Sequence, residues 1–324
     1  MRRFTHNVSV IGIILIMAAF CLFLLPFTLV VYAPKSWNTP YIIAMIVLGL
    51  LLFPVFVFWE AKIAPVPFLP WKYLKERTII GSCLLYGVMF ISVFIWNAYF
   101  NSYLQVVHRQ NPIHAGYILN SFSLASSTFS PFVAWFIRWS GNFKWTAYSG
   151  VPIVLIGTAL LIPLRTPSTA PGVLAFTQLL VGLGTGIFAT CAQLAIMVPV
   201  THQELAAVNA LFGLFGSFGS SIGFAIAGAM WNNILPAQLL ERLPEESKAN
   251  ATAIFGSIEV QISYADGTLE RAAIVGAYAH VQRLMVIAGV ALVPLCFASI
   301  FIWKNINVRK LEEENGKQTK GRVF

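Results

Sequence analysis

Amide and aromatic side chains lie together along one short stretch of the sequence. Asn97, Asn101 and Gln105 recur every four residues, which places them on one face of a helix. The adjoining face holds Trp96, Tyr99 and Tyr103. Amides hydrogen-bond and aromatic rings stack, so the pattern predicts a surface that binds a large polar solute. An alternative stays open, because Trp and Tyr also mark a membrane interface, where a helix emerges into water.

Further polar residues at helical spacing extend this candidate surface. Tyr117, Asn120 and Ser123 follow in the next apolar segment, and two glycine-rich segments contribute amides of their own. Amides within a membrane helix are expected to face protein or water rather than acyl chains. The predicted substrate-binding residues are Trp96, Asn97, Asn101, Tyr103, Gln105, Tyr117, Asn120, Gln178, Gln193 and Asn209.

Few ionisable residues lie within or beside the apolar segments. His280 is the candidate for proton coupling, because an imidazole changes charge near neutral pH, and Arg283 lies one turn away from it. A second interpretation is that both side chains reach for the polar surface of the membrane.

The sequence lacks the common catalytic motifs. There is no GxSxG, HExxH or P-loop pattern, and the only aspartate is Asp266. The cysteines lie in four different apolar segments, without a CxxC pair or a histidine cluster, as Cys21, Cys83, Cys191 and Cys296. We therefore expect no enzyme activity, no cofactor, no disulfide framework and no metal site built by the protein.

Composition indicates an all-α polytopic membrane protein, with the lipid bilayer as its surroundings. Hydrophobic residues make up 58% of the chain, charged residues 10%, and the mean hydropathy is +0.76. A soluble domain carries about a quarter charged residues. The net charge of +9 comes from basic residues in short connections and a tail, which is typical of membrane orientation, so no nucleic-acid partner is expected.

A bilayer core needs about 20 apolar residues per helix. On that basis the sequence predicts eight spans, over residues 8–32, 40–59, 78–100, 114–137, 146–164, 172–198, 205–232 and 280–303. In the sixth and seventh spans, small residues repeat in steps of three and four. This stripe predicts helices that pack closely against neighbours and line a path.

Lysine and arginine placement predicts that both termini are cytoplasmic. The side that holds the termini and the connections 60–77 and 138–144 carries more than twice as many basic residues as the other side. The sequon at Asn250 then falls outside the cell, where it is a predicted glycosylation site.

The long polar connection over residues 233–279 is the predicted outer loop. Loops of this length usually have a function of their own. Tyr264 and Tyr278 are the candidates for gating if the loop is a lid over the substrate path. A passive glycosylated connector is the alternative.

Four stretches carry a resemblance to a known family. They are Leu22–Leu29, Trp37–Pro40, Phe100–Val106 and Gly228–Pro236, the last of them followed by the long outer loop. In this order they resemble the fungal siderophore-iron transporters of the major facilitator superfamily. The loop Arg138–Lys144 is similar to the basic loop with which that superfamily latches helices on the cytoplasmic side.

The resemblance implies a fourteen-helix carrier of which this chain holds the last eight helices. Residues 1–77 then hold two extra helices and a cytoplasmic linker, and residues 78–303 form the C-terminal six-helix bundle with its outer loop. Residues 304–324 are expected to be a disordered cytoplasmic tail. The partner bundle is the missing N-terminal six-helix half, so the sequence is expected to be a fragment or a degenerate copy.

The implied function is uptake of ferric siderophore chelates by proton symport. Iron arrives already chelated, which would explain why no ligand cluster is found. The implied location is the plasma membrane, with an endosomal vesicle as the alternative. Two other functions stay open, a drug–proton antiporter of the fourteen-helix type and a carrier-derived membrane receptor that does not transport.

Overall fold

The structure is a computed structural model that describes residues 10–30, 33–64 and 71–309. The long helices are α1 (Val10–Leu29), α2 (Pro40–Phe58), α4 (Arg77–Asn97), α6 (Pro112–Ser140), α7 (Phe143–Leu164), α8 (Pro171–Met197), α9 (Leu205–Arg242) and α12 (Leu269–Val290). The short ones are α3 (Trp71–Leu74), α5 (Phe100–His108), α10 (Ala251–Gly256), α11 (Ile258–Ser263) and α13 (Val293–Phe301). The described part of the chain has no β-strand beyond one isolated bridge, which confirms the predicted all-α class.

Seven helical segments of the described residues are long and apolar enough to cross a membrane. Two of them join neighbouring helices, α4 with α5 and α12 with α13. The fourth predicted span, 114–137, lies on α6, which is 29 residues long but too polar to meet the same criterion. Its hydroxyl and amide side chains lower the hydropathy of a helix that packs on α8.

Two predicted span boundaries were wrong at the end of the bundle that carries α10 and α11, called here the loop end. α9 continues to Arg242 rather than stopping near residue 232, and α12 begins at Leu269 rather than near residue 280. The connection between them is therefore shorter than the predicted 233–279. Hydropathy detects the apolar part of a helix, whereas the added turns of these two helices contain charged residues, such as Glu241 and Arg242 in α9 and Glu270 and Arg271 in α12.

α4 is the central helix of the bundle. It contacts α8, α9, α12 and α13, while α6 and α7 pack on α8. α1 and α2 form a separate pair whose α1 lies against α9, where the rings of Phe20 and Phe218 stack at 4.1 Å. Most of α2 is exposed.

The glycine stripes of the sequence lie at helix contacts. A Cβ atom at Gly182 of α8 would collide with the carbonyl oxygen of Phe122 in α6. A Cβ atom at Gly219 of α9 would likewise collide with the carbonyl oxygen of Gly87 in α4. Close backbone approach is what small residues provide in a membrane bundle, where lipid gives no hydrophobic drive to association.

The loop end has a hydrophobic core of its own, called here the outer core. Phe100, Leu104, Leu239, Ile254 and Tyr278 are among its members, and all five are at most 2% exposed. This core joins α5, α9, α10 and α12 and is separate from the larger cluster in the middle of the bundle. The loop is therefore a folded part of the bundle.

Arginine side chains fasten the loop to the helices. The guanidinium of Arg109, at the end of α5, donates to a carboxylate oxygen of Asp266 at 3.0 Å and to the carbonyl oxygens of Ile262 and Tyr264. Arg271 of α12 donates to the same carboxylate oxygen at 3.2 Å and to the carbonyl oxygen of Val106. The only aspartate of the chain thus bridges two helices and the loop.

A second fastening lies inside the outer core. The hydroxyl of Tyr278 donates to the amide oxygen of Gln261 at 2.5 Å, and the amide nitrogen of Gln261 donates to the carbonyl oxygen of Ile254 at 2.6 Å. Both side chains are at most 2% exposed. These bonds tie α10 and α11 to α12.

The opposite end of the bundle, called here the tail end, is held by contacts with the residues after α13. Lys144 donates to the carbonyl oxygens of Phe301 and Trp303, and the backbone N–H of Val308 donates to the carbonyl oxygen of Gly141 at 2.9 Å. The predicted tail, 304–324, is therefore not disordered from its first residue, since residues 304–309 are docked on the α6–α7 turn. The rest of it, and the linker prolines at 65–70, lie outside the described residues.

Candidate functional site

Two adjoining cavities, which share Ala189 in their walls, form a cleft. The first lies between α4, α6 and α8, and the second lies between α6, α8 and residues 308–309. The first has a volume of about 390 Å³ and the second, towards the tail end, about 700 Å³. Polar side chains of the first are Asn97, Asn120, Ser123, Ser126 and Thr185, and those of the second are Ser127, Ser130, Arg138, Thr190, Gln193 and Arg309. Together they are large enough for a ligand of drug size or above.

A stripe of serines on α6 supplies much of the polar wall. Ser123, Ser126, Ser127 and Ser130 are spaced by one, three and four residues, which keeps them on one side of the helix. The hydroxyl of Ser130 donates to the carbonyl oxygen of Ser126 at 2.8 Å. A hydroxyl that donates to its own helix keeps lone pairs with which to accept a hydrogen bond from a solute.

α8 provides the opposite wall in the same way. Thr190 donates to the carbonyl oxygen of Gly186 at 2.9 Å, and Thr185 donates to that of Val181 at 3.0 Å. The sequence prediction missed these threonines and the serines after Ser123. Their repeat at helical spacing was the available signal, but single hydroxyl residues in an apolar segment attract little attention.

The third wall is aromatic and comes from α4. Tyr86, Phe90 and Phe94 line the first cavity, with the rings of Tyr86 and Phe90 4.6 Å apart. Tyr86 also stacks on Phe212 of α9 at 4.0 Å, so its ring plane is fixed. The cleft therefore offers stacking on one side and hydrogen-bond acceptors on the other.

Three predicted binding residues lie in this cleft. Asn97 and Asn120 line the first cavity and Gln193 lines the second. Asn97 comes from the last residue of α4 and Asn120 from α6, so the fold brings together two amides that are 23 positions apart in the sequence.

The other residues of the amide and aromatic ribbon lie elsewhere. Trp96 and Tyr103 are fully buried, and Asn101 and Gln105 are half-buried on α5; none of them lines the two cavities. The reason is a break in the helix. α4 ends at Asn97 and α5 begins at Phe100, so the four-residue repeat does not continue on one face.

The remaining predicted binding residues are spread over the bundle. Tyr117 is 69% exposed, Gln178 is fully buried in α8 and Asn209 is half-buried near the start of α9. None of the three lines either cavity. Their predicted role in binding stays a prediction.

The gating, coupling and glycosylation candidates also stand apart from the cleft. Tyr264 is half-buried in the loop, and Tyr278 lies within α12 as an anchor of the outer core. His280 and Arg283 are exposed on α12, one turn apart, and neither lines the two cavities. Asn250 is exposed at the start of α10, where a glycan could be attached.

The described residues contain no group of three or more His, Cys, Asp or Glu side chains that could hold a metal ion. Cys83, Cys191 and Cys296 are buried and Cys21 is exposed, all as free thiols. The cleft itself is lined by hydroxyl, amide and aromatic side chains, with Arg138 and Arg309 at its larger cavity.

Sequence reasoning also missed Arg165 as a buried residue. It follows α7 directly, and its side chain is buried beneath the aromatic rings of Trp96 and Phe100. A single arginine between two apolar segments gave no sign of this burial.

Comparison with known proteins gives consistent results along nearly the whole chain. "MFS siderochrome iron transporter 1" of Ajellomyces capsulatus is 57% identical over 316 residues, which are 98% of this chain and 53% of that protein. "MFS siderochrome iron transporter B" of Aspergillus fumigatus is 41% identical over 312 residues, 96% of this chain and 50% of that protein. "Siderophore iron transporter mirB" of Emericella nidulans is 40% identical over 313 residues, 97% of this chain and 51% of that protein.

No family model matches the chain. The chain spans about half the length of the curated relatives it matches. The resemblance seen in the four sequence stretches is confirmed: over nearly its whole length, this chain is similar to fungal siderophore-iron transporters of the major facilitator superfamily.

Proposed function

We propose that the chain forms the C-terminal part of a secondary carrier that takes up ferric siderophore chelates. The observation that carries the proposal is the cleft between α4, α6 and α8, with its aromatic wall and its acceptor-rich walls. The names of the relatives, siderochrome and siderophore iron transporters, support the same substrate class.

The chemistry of the cleft fits a chelate rather than free iron. In a chelate the iron is enclosed by its own ligand oxygens, so the carrier contacts the organic periphery of the molecule. Amide side chains such as Asn97 and Asn120 can donate to and accept from that periphery, while Tyr86 and Phe90 cover its apolar parts. Volumes of about 390 and 700 Å³ can hold a solute of this size.

The proposed transport mechanism is alternating access, in which this bundle rocks against a second six-helix half. The exposed surface of α6, along with the cleft, is where we place that partner. Phe132 and Trp135 of α6 are 62% and 68% exposed, which gives a second bundle or lipid an apolar surface to cover. Proton symport would drive accumulation, and His280 with Arg283 stays the candidate pair of this chain.

A complementation assay tests the substrate. Residues 1–324 are joined to the part of the 57% identical relative that this chain does not match, and the chimera is expressed in fungal cells without siderophore carriers of their own. We expect accumulation of radiolabelled iron supplied as a ferric hydroxamate. Drug resistance without iron accumulation would favour the antiporter, and chelate binding without accumulation would favour the receptor.

Paired variants of the chimera test the cleft. Asn97→Ala combined with Asn120→Ala should raise the KM for the chelate, because two of its hydrogen-bonding side chains are removed. Asn233→Ala is the matched control, since this amide lies on α9 and donates to the carbonyl oxygen of Ala229 in its own helix. Equal uptake by both variants would remove the cleft from the proposal.

The proposed orientation puts both termini in the cytosol of a plasma-membrane or endosomal protein. It requires the loop end to face away from the cytosol, so Asn250 should carry a glycan. Treatment with a glycosidase should lower the apparent mass of the chain but not that of Asn250→Gln. An Asn250 that is unmodified and is reached by a cytosolic labelling reagent would reverse the orientation.

A further inference from the structure

Arg165 is a buried cation without an acidic partner. Its side chain is only 2% exposed, and no ion pair of the described residues includes it. An ionised group in the interior costs several kcal/mol unless an opposite charge or strong hydrogen bonds compensate it. The surroundings of the guanidinium should therefore reveal what balances its charge.

Part of the compensation comes from α4 and from two aromatic rings. Nη1 of Arg165 donates to the carbonyl oxygen of Trp96 at 2.9 Å, near the end of α4, where the helix dipole is negative. The Cζ atom lies 3.8 Å from the ring centre of Phe100 and 5.1 Å from that of Trp96. These contacts fix the plane of the guanidinium but use only one of its three nitrogens.

The other two nitrogens, Nε and Nη2, have no hydrogen-bond partner among the described residues. They belong to one edge of the guanidinium, so their N–H groups point the same way. That two-donor edge is the geometry in which arginine binds a carboxylate through both of its oxygens.

Two further polar groups lie at this place. The hydroxyl of Tyr103 is fully buried and has no partner among the described residues, and its ring lies 6.2 Å from that of Phe100, the ring against which Arg165 packs. Gln282 donates to the same Trp96 carbonyl oxygen at 2.7 Å, while its own amide oxygen has no partner there. Buried polar atoms without partners usually indicate an unseen water or ion.

We propose that Arg165 and Tyr103 form a buried binding site for a small planar oxyanion of the carboxylate class. Water could accept the hydrogen bonds of Arg165 but would leave its positive charge unbalanced. An oxyanion accepts the hydrogen bonds and also balances the charge. Bicarbonate would fit further, because its O–H group can donate to the amide oxygen of Gln282. The site is separate from the cleft and does not depend on the proposed transport function.

Thermal unfolding of the purified chain in lipid nanodiscs tests the site. Sodium formate, bicarbonate, gluconate and chloride are compared at equal ionic strength. We expect a saturable rise of Tm by at least about 2 °C with formate and bicarbonate. Bulky gluconate and spherical chloride should give no saturable rise. An identical response to all four salts would overturn the proposal in favour of water.

Variants assign the response to the two residues. Arg165→Lys keeps the charge but lacks the two-donor edge, so the response should disappear. Tyr103→Phe should weaken the apparent affinity about fivefold, the value of one hydrogen bond. Arg242→Lys is the matched control, because Arg242 is exposed and donates to Gln238 on its own helix.

A second measurement keeps the test decisive if Arg165→Lys does not fold. Binding of isotope-labelled formate to the unmodified chain is followed by NMR and compared with Tyr103→Phe. Saturable binding that weakens in Tyr103→Phe supports the site. Absent or non-saturable binding, or equal binding by the two proteins, contradicts it.

Discussion

The two ends of the bundle use charged residues in opposite ways. At the loop end, two cations that join elements are buried, Arg271 at 5% and Arg165 at 2% exposed, while Arg109 is 35% exposed. At the tail end, the ion pairs lie in solvent: Lys72 pairs with Glu204 at 2.5 Å and is 77% exposed, and Lys304 pairs with Glu76 at 2.6 Å and is 51% exposed. Exposed ion pairs contribute little to the free energy of unfolding, whereas removing the partner of a buried charge costs several kcal/mol.

The comparison indicates where the bundle can open. Separation of elements at the loop end would strand buried guanidinium groups and expose the outer core. Separation at the tail end would break contacts that water replaces at small cost. The larger cavity of the cleft also lies at the tail end, beside Arg138 and Arg309. We therefore expect the tail end to be the more mobile end.

The largest expected effect is at Arg271. Arg271→Met should lower the free energy of unfolding by about 2–3 kcal/mol, because it removes charged hydrogen bonds to Asp266 and to the buried carbonyl oxygen of Val106. Denaturant-induced unfolding of the variant and of the unmodified chain measures this loss. A loss no larger than that of Lys304→Ala would end the distinction between the two ends.

A smaller loss is expected inside the outer core. Tyr278→Phe removes the hydrogen bond to Gln261 and should cost about 1 kcal/mol. Hydrogen exchange of α10 and α11 should become faster. Tyr264→Phe is the matched control, since Arg109 binds the backbone carbonyl of Tyr264 rather than its hydroxyl. Faster exchange in both variants, or in neither, would contradict the assignment.

The Asp266 bridge should respond to pH. Hydrogen bonding from Arg109, followed by that from Arg271, lowers the pKa of Asp266 below its ordinary value. A lowered pKa means that the bridge is intact above the ordinary aspartate pKa of about 3.9 and is lost as pH falls through the folded-state value. The rate of limited proteolysis of the loop should therefore be constant from neutral pH down to about 4. At lower pH the rate should rise, because the bridge is lost.

Asp266→Asn should abolish the acid-induced change in proteolysis, because the asparagine carries no charge at any pH. Glu245→Gln is the control, since Glu245 is an exposed carboxylate that pairs only with Lys248 within its own short helix. An acid-induced change that persists in Asp266→Asn would assign it to another group.

The smallest expected effect is at the tail end. Lys304→Ala should change the free energy of unfolding by less than about 1 kcal/mol, because the pair with Glu76 is solvent-exposed. Salt should remove the difference between the variant and the unmodified chain. A salt-independent loss of several kcal/mol would mean that the tail end is as firmly tied as the loop end.

Hydropathy predicted the helices well wherever a segment is apolar along its whole length. It failed at the loop end, where α9 and α12 continue as partly polar helices and where the residues between them fold onto an outer core. The fold of this end depends on contacts between residues far apart in the chain, such as Arg109 with Asp266. No local sequence pattern predicts such contacts.

The lining of the candidate cleft could be predicted only in part, for a similar reason. Asn97, Asn120 and Gln193 line it and are conspicuous in the sequence because they are amides in apolar segments; their role in binding stays a prediction. Asn101 and Gln105 were grouped with these amides on the assumption of one continuous helix. The helix is interrupted after Asn97, and neither glycine nor proline marks the interruption in the sequence. The serine stripe of α6 was overlooked because each hydroxyl is inconspicuous alone.

The backbone contact between α6 and α8 has a mechanical consequence. At Gly182 and Gly186 there is no room for even a methyl group between α8 and the carbonyl oxygens of α6. The two cleft walls formed by α6 and α8 are therefore one rigid unit. If the cleft widens or narrows during a transport cycle, α6 and α8 must move together as one body, and the hinge must lie at α4 or in the element that covers the cleft.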